Sequence, residues 1–230
     1  MHANFSNEGF SRAIIDDEAS KYIEFHHLIK MDKYRNIWMK FFAIELGRLA
    51  QGICDVPGTD TIDFIPHADV PVRTTVTYGR IFCTYCPQKT EKHLMRLTFG
   101  GNMFICLYDV SAPTSDMTIE KMLSNSVISM PGAHFITLDL KNFYLKTPFP
   151  EPRYMKMKID ILPDDIIKKY NLGYIVYNEY VYFKIKMGMY GIPEAGILSK
   201  KLLKKRLSKH GYYKCQFTPV LFRHLWRPIM

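Results

Sequence analysis

Asp139 closes the apolar run Phe135-Ile136-Thr137-Leu138, and Tyr144 follows five positions later in Asp139-Leu-Lys-Asn-Phe-Tyr144-Leu-Lys-Thr-Pro148. A strand of that composition delivers a carboxylate at its end, where the chain turns and the side chain can face a cleft. The ring of Tyr144 is then held near the same place. An aspartate so positioned is either a turn or cap residue or a ligand for a hard cation. A second carboxylate pair, Asp164-Asp165, follows Pro163 and precedes Lys168-Lys169. That order matches a helix dipole, so capping accounts for it better than catalysis. Cys83-Thr-Tyr-Cys86 has zinc-knuckle spacing, but no second pair follows it, and Cys106 and His93 are only loosely placed. His26-His27 reads as a surface pair.

The charge is uneven. After Glu194 the last 36 residues contain no acid but nine bases: Lys200, Lys201, Lys204, Lys205, Arg206, Lys209, Lys214, Arg223 and Arg227. The 31 basic residues less these nine equal the 22 acidic ones, so the whole net charge of +9 sits at this end. Such a field suits a polyanion such as nucleic acid, or else forms a solvated helix face. The five cysteines are odd in number and widely spread, which argues against a disulfide framework. The first thirty residues hold no continuous apolar segment, and no stretch reaches bilayer-spanning length. The expectation is a soluble, intracellular protein with no membrane partner.

These residues need elements to carry them. Tyr34, Ile37, Trp38, Phe41 and Leu49 recur at helical spacing, predicting a helix over 33–51 that Pro57-Gly58 follows. Thr61–Ile65 reads as a short strand. Arg73–Cys86 and Leu94–Phe99, rich in β-branched and aromatic residues, read as an antiparallel hairpin that Gly100-Gly101 closes. Further expectations are helices over 118–129 and 161–172, a strand over 135–138, and a hairpin over 174–186 turning near Asn178-Glu179. Pro193 opens the last helix, to about His210. In that helix Ala195, Ser199, Leu202, Leu203 and Leu207 share one face, and Lys200, Lys201, Lys204, Lys205 and Lys209 cover the other. Mixed elements in this order predict an α+β fold.

The string from Phe135 to Pro148 resembles the first palm motif of reverse transcriptases from LTR retrotransposons of copia or gypsy type. Three further blocks extend the likeness in order. Trp38…Glu45…Leu49 resembles the helix leading into the polymerase domain. Val76-Thr-Tyr-Gly-Arg80-Ile-Phe-Cys-Thr-Tyr-Cys-Pro-Gln-Lys89, closed by Gly100-Gly101-Asn102, resembles the fingers hairpin. Gly188-Met-Tyr-Gly191-Ile-Pro193-Glu194-Ala-Gly196 resembles the second palm motif. The likeness runs from Lys33 to the C-terminus and rests on the order and spacing of the blocks together.

The resemblance implies a partial right-hand polymerase: a helical lead-in over 1–57, fingers over 58–133 and part of a palm over 134–230. It implies RNA-directed DNA synthesis with magnesium, an RNA or DNA template–primer and deoxynucleotides. Asp139 would be the catalytic metal ligand, helped by the carbonyl of Leu140. Tyr144 would be the gate against a ribose 2′-hydroxyl, Arg80 the grip on the triphosphate, and Gly191 part of the nucleotide floor. Lys200, Lys201, Lys204 and Lys205 would touch backbone phosphates. Two hard cations clamped by carboxylates, and an always-charged guanidinium forked onto phosphate, suit that chemistry.

The departures from the family pattern are specific. Thr84-Tyr85-Cys86 stands where the family reads Asp-Tyr-Arg, and Glu194 stands where it has glutamine, placing a negative charge near a polyanion. The Asp-Asp hairpin that supplies the other metal-binding carboxylate is expected just after Ile229, so the chain as given, ending at Met230, is expected not to extend a primer alone. The alternative expectation is a non-catalytic remnant of a decayed element that binds nucleic acid through its basic end.

Overall fold

A computed structural model describes residues 14–15, 22–86, 91–103, 115–134, 140–216, 218 and 220–226. Among the described residues the fold is α+β, with five α-helices and a mixed five-stranded sheet. The helices are α1 (Phe25–Leu28), α2 (Asp32–Leu49), α3 (Met117–Ser129), α4 (Asp164–Lys169) and α5 (Ala195–Ser208). Three two-residue ladders join β1 (Ile14–Ile15) to β2 (Tyr22–Ile23), β3 (Gly52–Ile53) to β4 (Val56–Pro57), and β10 (Tyr213–Lys214) to β11 (Phe222–Arg223). The large sheet contains β5 (Ile62–Ile65), β6 (Val76–Tyr85), β7 (His93–Phe99), β8 (Pro148–Lys158) and β9 (Tyr180–Met187). No described helix is long and apolar enough to cross a membrane.

The sheet order is β5-β9-β8-β6-β7, antiparallel throughout except for the β6–β8 pair. Two strands that are late in sequence therefore fill the space between two early ones. Period-two alternation gives each strand a core side and an outer side. On the core side lie Phe64, Phe183, Met155, Met157, Val181, Ile185, Leu97 and Phe99, and α2 packs there through Trp38, Phe42, Leu46 and Leu49. Those four recur at intervals of four and three, the stripe of an amphipathic helix.

The helix over 33–51, the hairpin over 73–99 and the helices over 118–129 and 193–210 are present with ends shifted by a few residues. The strand expected over 135–138 lies outside the described residues. The helix expected over 161–172 is shorter, with α4 flanked by 3-10 turns at Ile159–Ile161 and Leu172–Tyr174. The 174–186 hairpin needs correction. Its turn is where expected, since Tyr177 and Tyr180 exchange backbone hydrogen bonds of 2.9 and 3.0 Å around Asn178 and Glu179, both at positive φ. The first arm is only that single bridge, and the true antiparallel partners of β9 are β8 and β5.

Glu45 lies buried in the seam between α2 and β7. Its Oε1 accepts the Leu97 backbone N–H at 3.5 Å, and its Oε2 faces Arg48 at 3.4 Å. Burial pushes its carboxyl above the ordinary 4.5, against the opposing pull of Arg48, the Leu97 amide and Arg96. A raised carboxyl pKa means that folding disfavours the ionised form, a cost absent below 4.5 and complete above the raised value. Glu45→Gln keeps the acceptor for Leu97 and removes the charge. Thermal unfolding across pH should show the variant gaining on the wild type as pH rises from 4.5, then holding a constant lead. A gap that is the same at every pH would show that desolvation of this carboxylate does not limit the fold.

Candidate functional site

The Gly188–Gly196 segment is bound to two other parts of the chain by its backbone. The Gly188 N–H donates to Thr147 O at 2.7 Å, and the Phe99 N–H, at the end of β7, donates to Tyr190 O at 2.8 Å. Glycine is needed where these backbones meet. A Cβ on Gly188 would run into the Tyr144 carbonyl, one on Gly101 into the Gly191 carbonyl, and one on Gly191 into the Phe99 carbonyl. Gly191 also has φ +89°, which L side chains rarely adopt. The loop covers the free edge of β7, together with Glu45 at Leu97. Two N–H groups on that edge, those of Phe99 and Leu97, are thereby satisfied.

Three sequence-predicted blocks therefore meet at one place. Tyr144 opens a 3-10 turn over Tyr144–Lys146, and its ring lies 5.9 Å from that of Tyr190 at 44°. Both rings are a little over one-third exposed. The Arg96 guanidinium lies 5.2 Å from the centre of the Tyr190 ring, a cation–π contact. Arg96 is exposed on β7 opposite Phe82, on the outer face of the hairpin. Arg80 is exposed on the same face opposite Thr98, and its guanidinium lies 5.6 Å from the Tyr78 ring. Tyr78 in turn donates its hydroxyl to Asn102 Oδ1 at 2.8 Å.

Arg80 and Arg96 thus face the same way, but it is Arg96 that reaches the Tyr190–Tyr144 pair. Arg96 is not among the residues that the family resemblance singles out. The signal was available: Leu94, Arg96 and Thr98 alternate with the buried Met95, Leu97 and Phe99, so a basic residue stands at an outward position of the return strand. Leu140 is exposed and begins the turn in which Phe143 N–H donates to its carbonyl at 3.2 Å. Asp139, immediately before it, lies outside the described residues.

Helix α5 rests on the segment that carries Tyr144. Ser199 Oγ and Thr147 Oγ1 share a 3.0 Å hydrogen bond, and the Arg206 guanidinium lies 5.8 Å from the Phe143 ring. Lys201, Lys204 and Lys205 are exposed, whereas Lys200 is half-buried. Burial, and then the neighbouring Lys214, holds the Lys200 ammonium below the usual lysine range. Glu194, at the N-terminal end of α5, is turned inward. Its side chain is 6% exposed and its Oε1 accepts from Arg153 Nη2 at 3.0 Å, so the extra carboxylate is matched inside the protein.

Among the described residues no three His, Cys, Asp or Glu side chains converge as metal ligands. The Cys83 thiol is in the core, 3.3 Å from Met95 Sδ, and burial pushes its pKa up to about 12. His93 lies against the rings of Trp38, Phe41 and Tyr85, with centroids 5.0–5.1 Å away. Comparison of the sequence with known protein families and characterised proteins, and of the fold with solved structures, finds no match.

Proposed function

We propose that the chain is the fingers and first palm portion of an LTR-retrotransposon reverse transcriptase, in which Tyr144, Tyr190, Gly191 and Arg96 form the floor and wall of a deoxynucleotide site. The observation that carries this reading is the meeting of Tyr144, the Gly188–Gly196 loop and the arginine-bearing hairpin. Those blocks are more than forty residues apart in sequence, and each was singled out by its order in the chain. In this reading Asp139 and the Leu140 carbonyl would hold magnesium, which would supply charge stabilisation for nucleotidyl transfer. The described residues bind and orient. Arg96 and Arg80 offer always-charged guanidinium groups to a triphosphate, and Tyr144 places a ring where the sugar must pass. The inward-turned Glu194 does not set a free negative charge against the substrate.

The test is equilibrium binding of dTTP and UTP in magnesium to the chain on a poly(A)–oligo(dT) template–primer. Wild type should prefer dTTP by about tenfold, or ~1.4 kcal/mol. Tyr144→Ala should erase the preference by admitting UTP, and Arg96→Ala should weaken both nucleotides alike. Equal binding of dTTP and UTP by the wild type would defeat the proposal.

A second reading is favoured by the exposed lysines of α5, which lie on the helix that packs against Phe143 and Thr147. It holds that the chain is a non-catalytic nucleic-acid binder. It predicts duplex binding without nucleotide discrimination.

A further inference from the structure

The outer face of the five-stranded sheet is built differently from its core face. Register places Tyr182 beside Lys156 and Lys156 beside Tyr78, while Tyr154 lies beside Lys184 and Tyr180 beside Lys158. Rings and ammonium groups therefore alternate across three strands. Arg80 and Arg96 continue the same outer face on the hairpin. The rings are anchored beneath. Tyr154 and Tyr182 are buried with Ile65 in a small cluster that Val70, Val76 and Tyr180 complete, so they underpin the face. The half-buried Tyr180 and Tyr78 are the rings a ligand can reach. At its margin His67 stacks on Tyr177, with centroids 4.2 Å apart and planes within 6°, and Tyr177 remains 47% exposed.

The acids near this face leave the positive charge in excess. Asp63 is held by Lys186 at 3.0 Å, Glu179 lies 4.0 Å from Lys158, and Asp69 sits in the 3-10 turn after His67. Against them stand Lys156, Lys158, Lys184, Arg80 and Arg96. Among the described residues no α-helix joins the apolar cluster on this side, and the turn at His67–Asp69 covers only its margin, with the His67 ring 4.9 Å from that of Tyr182. The Lys156 ammonium rests 4.4 Å from the centre of the Tyr180 ring, so this cation and ring already share one spot. A cation on a partly exposed ring is held more weakly than a stacked base. A base can take its place on the ring while the ammonium swings to the adjoining phosphate.

We propose that this outer face, centred on Lys156, Lys158, Tyr180 and Lys184, is a binding platform for single-stranded nucleic acid. The occupant must combine a polyanionic backbone with flat faces free to stack. A duplex hides its base faces inside the helix, and an acidic peptide has no such faces. The face shares Arg80 and Arg96 with the polymerase reading, but its centre and its test use neither arginine, nor Tyr144, Asp139 or α5, so the two can fail separately.

The test is fluorescence anisotropy of the full chain with a fluorescein-labelled oligo(dT) single strand, and with a blunt duplex of equal length. Lys156→Gln/Lys158→Gln/Lys184→Gln keeps most of each stem and removes three charges. It should weaken single-strand binding at least tenfold and lower the slope of log affinity against log salt by about 2, at roughly 0.7 per single-strand phosphate. Duplex binding should be unchanged. Tyr180→Phe should bind like the wild type because it keeps the ring, and Tyr180→Leu should lose about tenfold of single-strand affinity. Circular dichroism establishes that each variant is folded; should Tyr180→Leu unfold, the triple glutamine variant alone decides. Single-strand affinity unaltered in the triple variant, or displacement of the oligonucleotide by poly-glutamate as readily as by unlabelled oligo(dT), would overturn the proposal.

Discussion

Replacing Gly191 with alanine should cost the fold about 3 kcal/mol, a large part of a typical domain's 5–15 kcal/mol margin. Two penalties combine there. The residue has φ +89°, and a new Cβ would meet the Phe99 carbonyl, a backbone atom at the end of β7 that cannot rotate away. Relief requires the loop to lift from the sheet edge, which breaks the Phe99 N–H to Tyr190 O bond and frees the Tyr190 ring from Arg96. At about 2–4 °C per kcal/mol for a chain of this size, the midpoint of thermal unfolding should fall by about 6–12 °C. Two controls separate the causes. Gly132 has φ +76° with nothing within 4 Å of a built Cβ, so Gly132→Ala carries strain without collision and should cost about 1 kcal/mol. Gly173 has neither burden, and Gly173→Ala should be close to neutral. Equal melting of Gly191→Ala and Gly132→Ala would show that the loop is not seated on β7.

Duplex binding should fall by two to three decades at about 0.1 M salt when Lys201, Lys204 and Lys205 of α5 are changed together to alanine. All three are exposed, and α5 carries no acid to offset them. If each neutralises one phosphate, the slope of log affinity against log salt should drop by about 2.7, at roughly 0.9 per duplex phosphate. Lys200→Ala alone should change little, because that side chain is half-buried where the other three are exposed. Helix propensity is not a confounder, since alanine is the better helix former. A slope unchanged in the triple variant would place the duplex elsewhere on the protein.

Helix α2 and the β6–β7 hairpin were legible in the sequence because local physics decides them. The helical spacing of Tyr34, Ile37, Trp38, Phe41 and Leu49 finds the helix but only part of its buried face, since Trp38 and Leu49 are buried with Phe42 and Leu46 while Ile37 is exposed. The alternation in Leu94–Phe99 has strand period. The turn at Asn178-Glu179 was legible for a similar reason, since it needs two residues at positive φ in succession. Strand β8 was not. Pro148, Pro150 and Pro152 interrupt its first half and read as loop, while the register shift between Pro148 and Arg153 accommodates them in the sheet. With β8 hidden, the local pattern pairs β9 with the nearest upstream residues instead of its true neighbour. In the site, Tyr144 and Gly191 stood out through the order of their blocks. Arg96 did not, because its importance comes from a ring that arrives more than ninety residues later. The partnership of Glu194 with Arg153 spans 41 residues and leaves no local signature, so the carboxylate looked like an uncompensated charge.

The insertion of β8 and β9 between β5 and β6 also has a consequence for the order in which the protein can be made. A ribosome releases β5, β6 and β7 first, yet β5 has no place in the sheet until β9 emerges, more than a hundred residues after it. At about 5–20 residues per second, that is an interval of roughly 5–25 s. During it the nascent chain holds a lone hairpin and an orphan strand, with the Phe99 amide waiting for the Tyr190 carbonyl. Closing such distant pairs is slow even after release, because loop entropy must be overcome before any contact rewards it. A cell producing this chain would therefore meet it first as a client for chaperones that shield unpaired strand edges, well before it meets the folded protein.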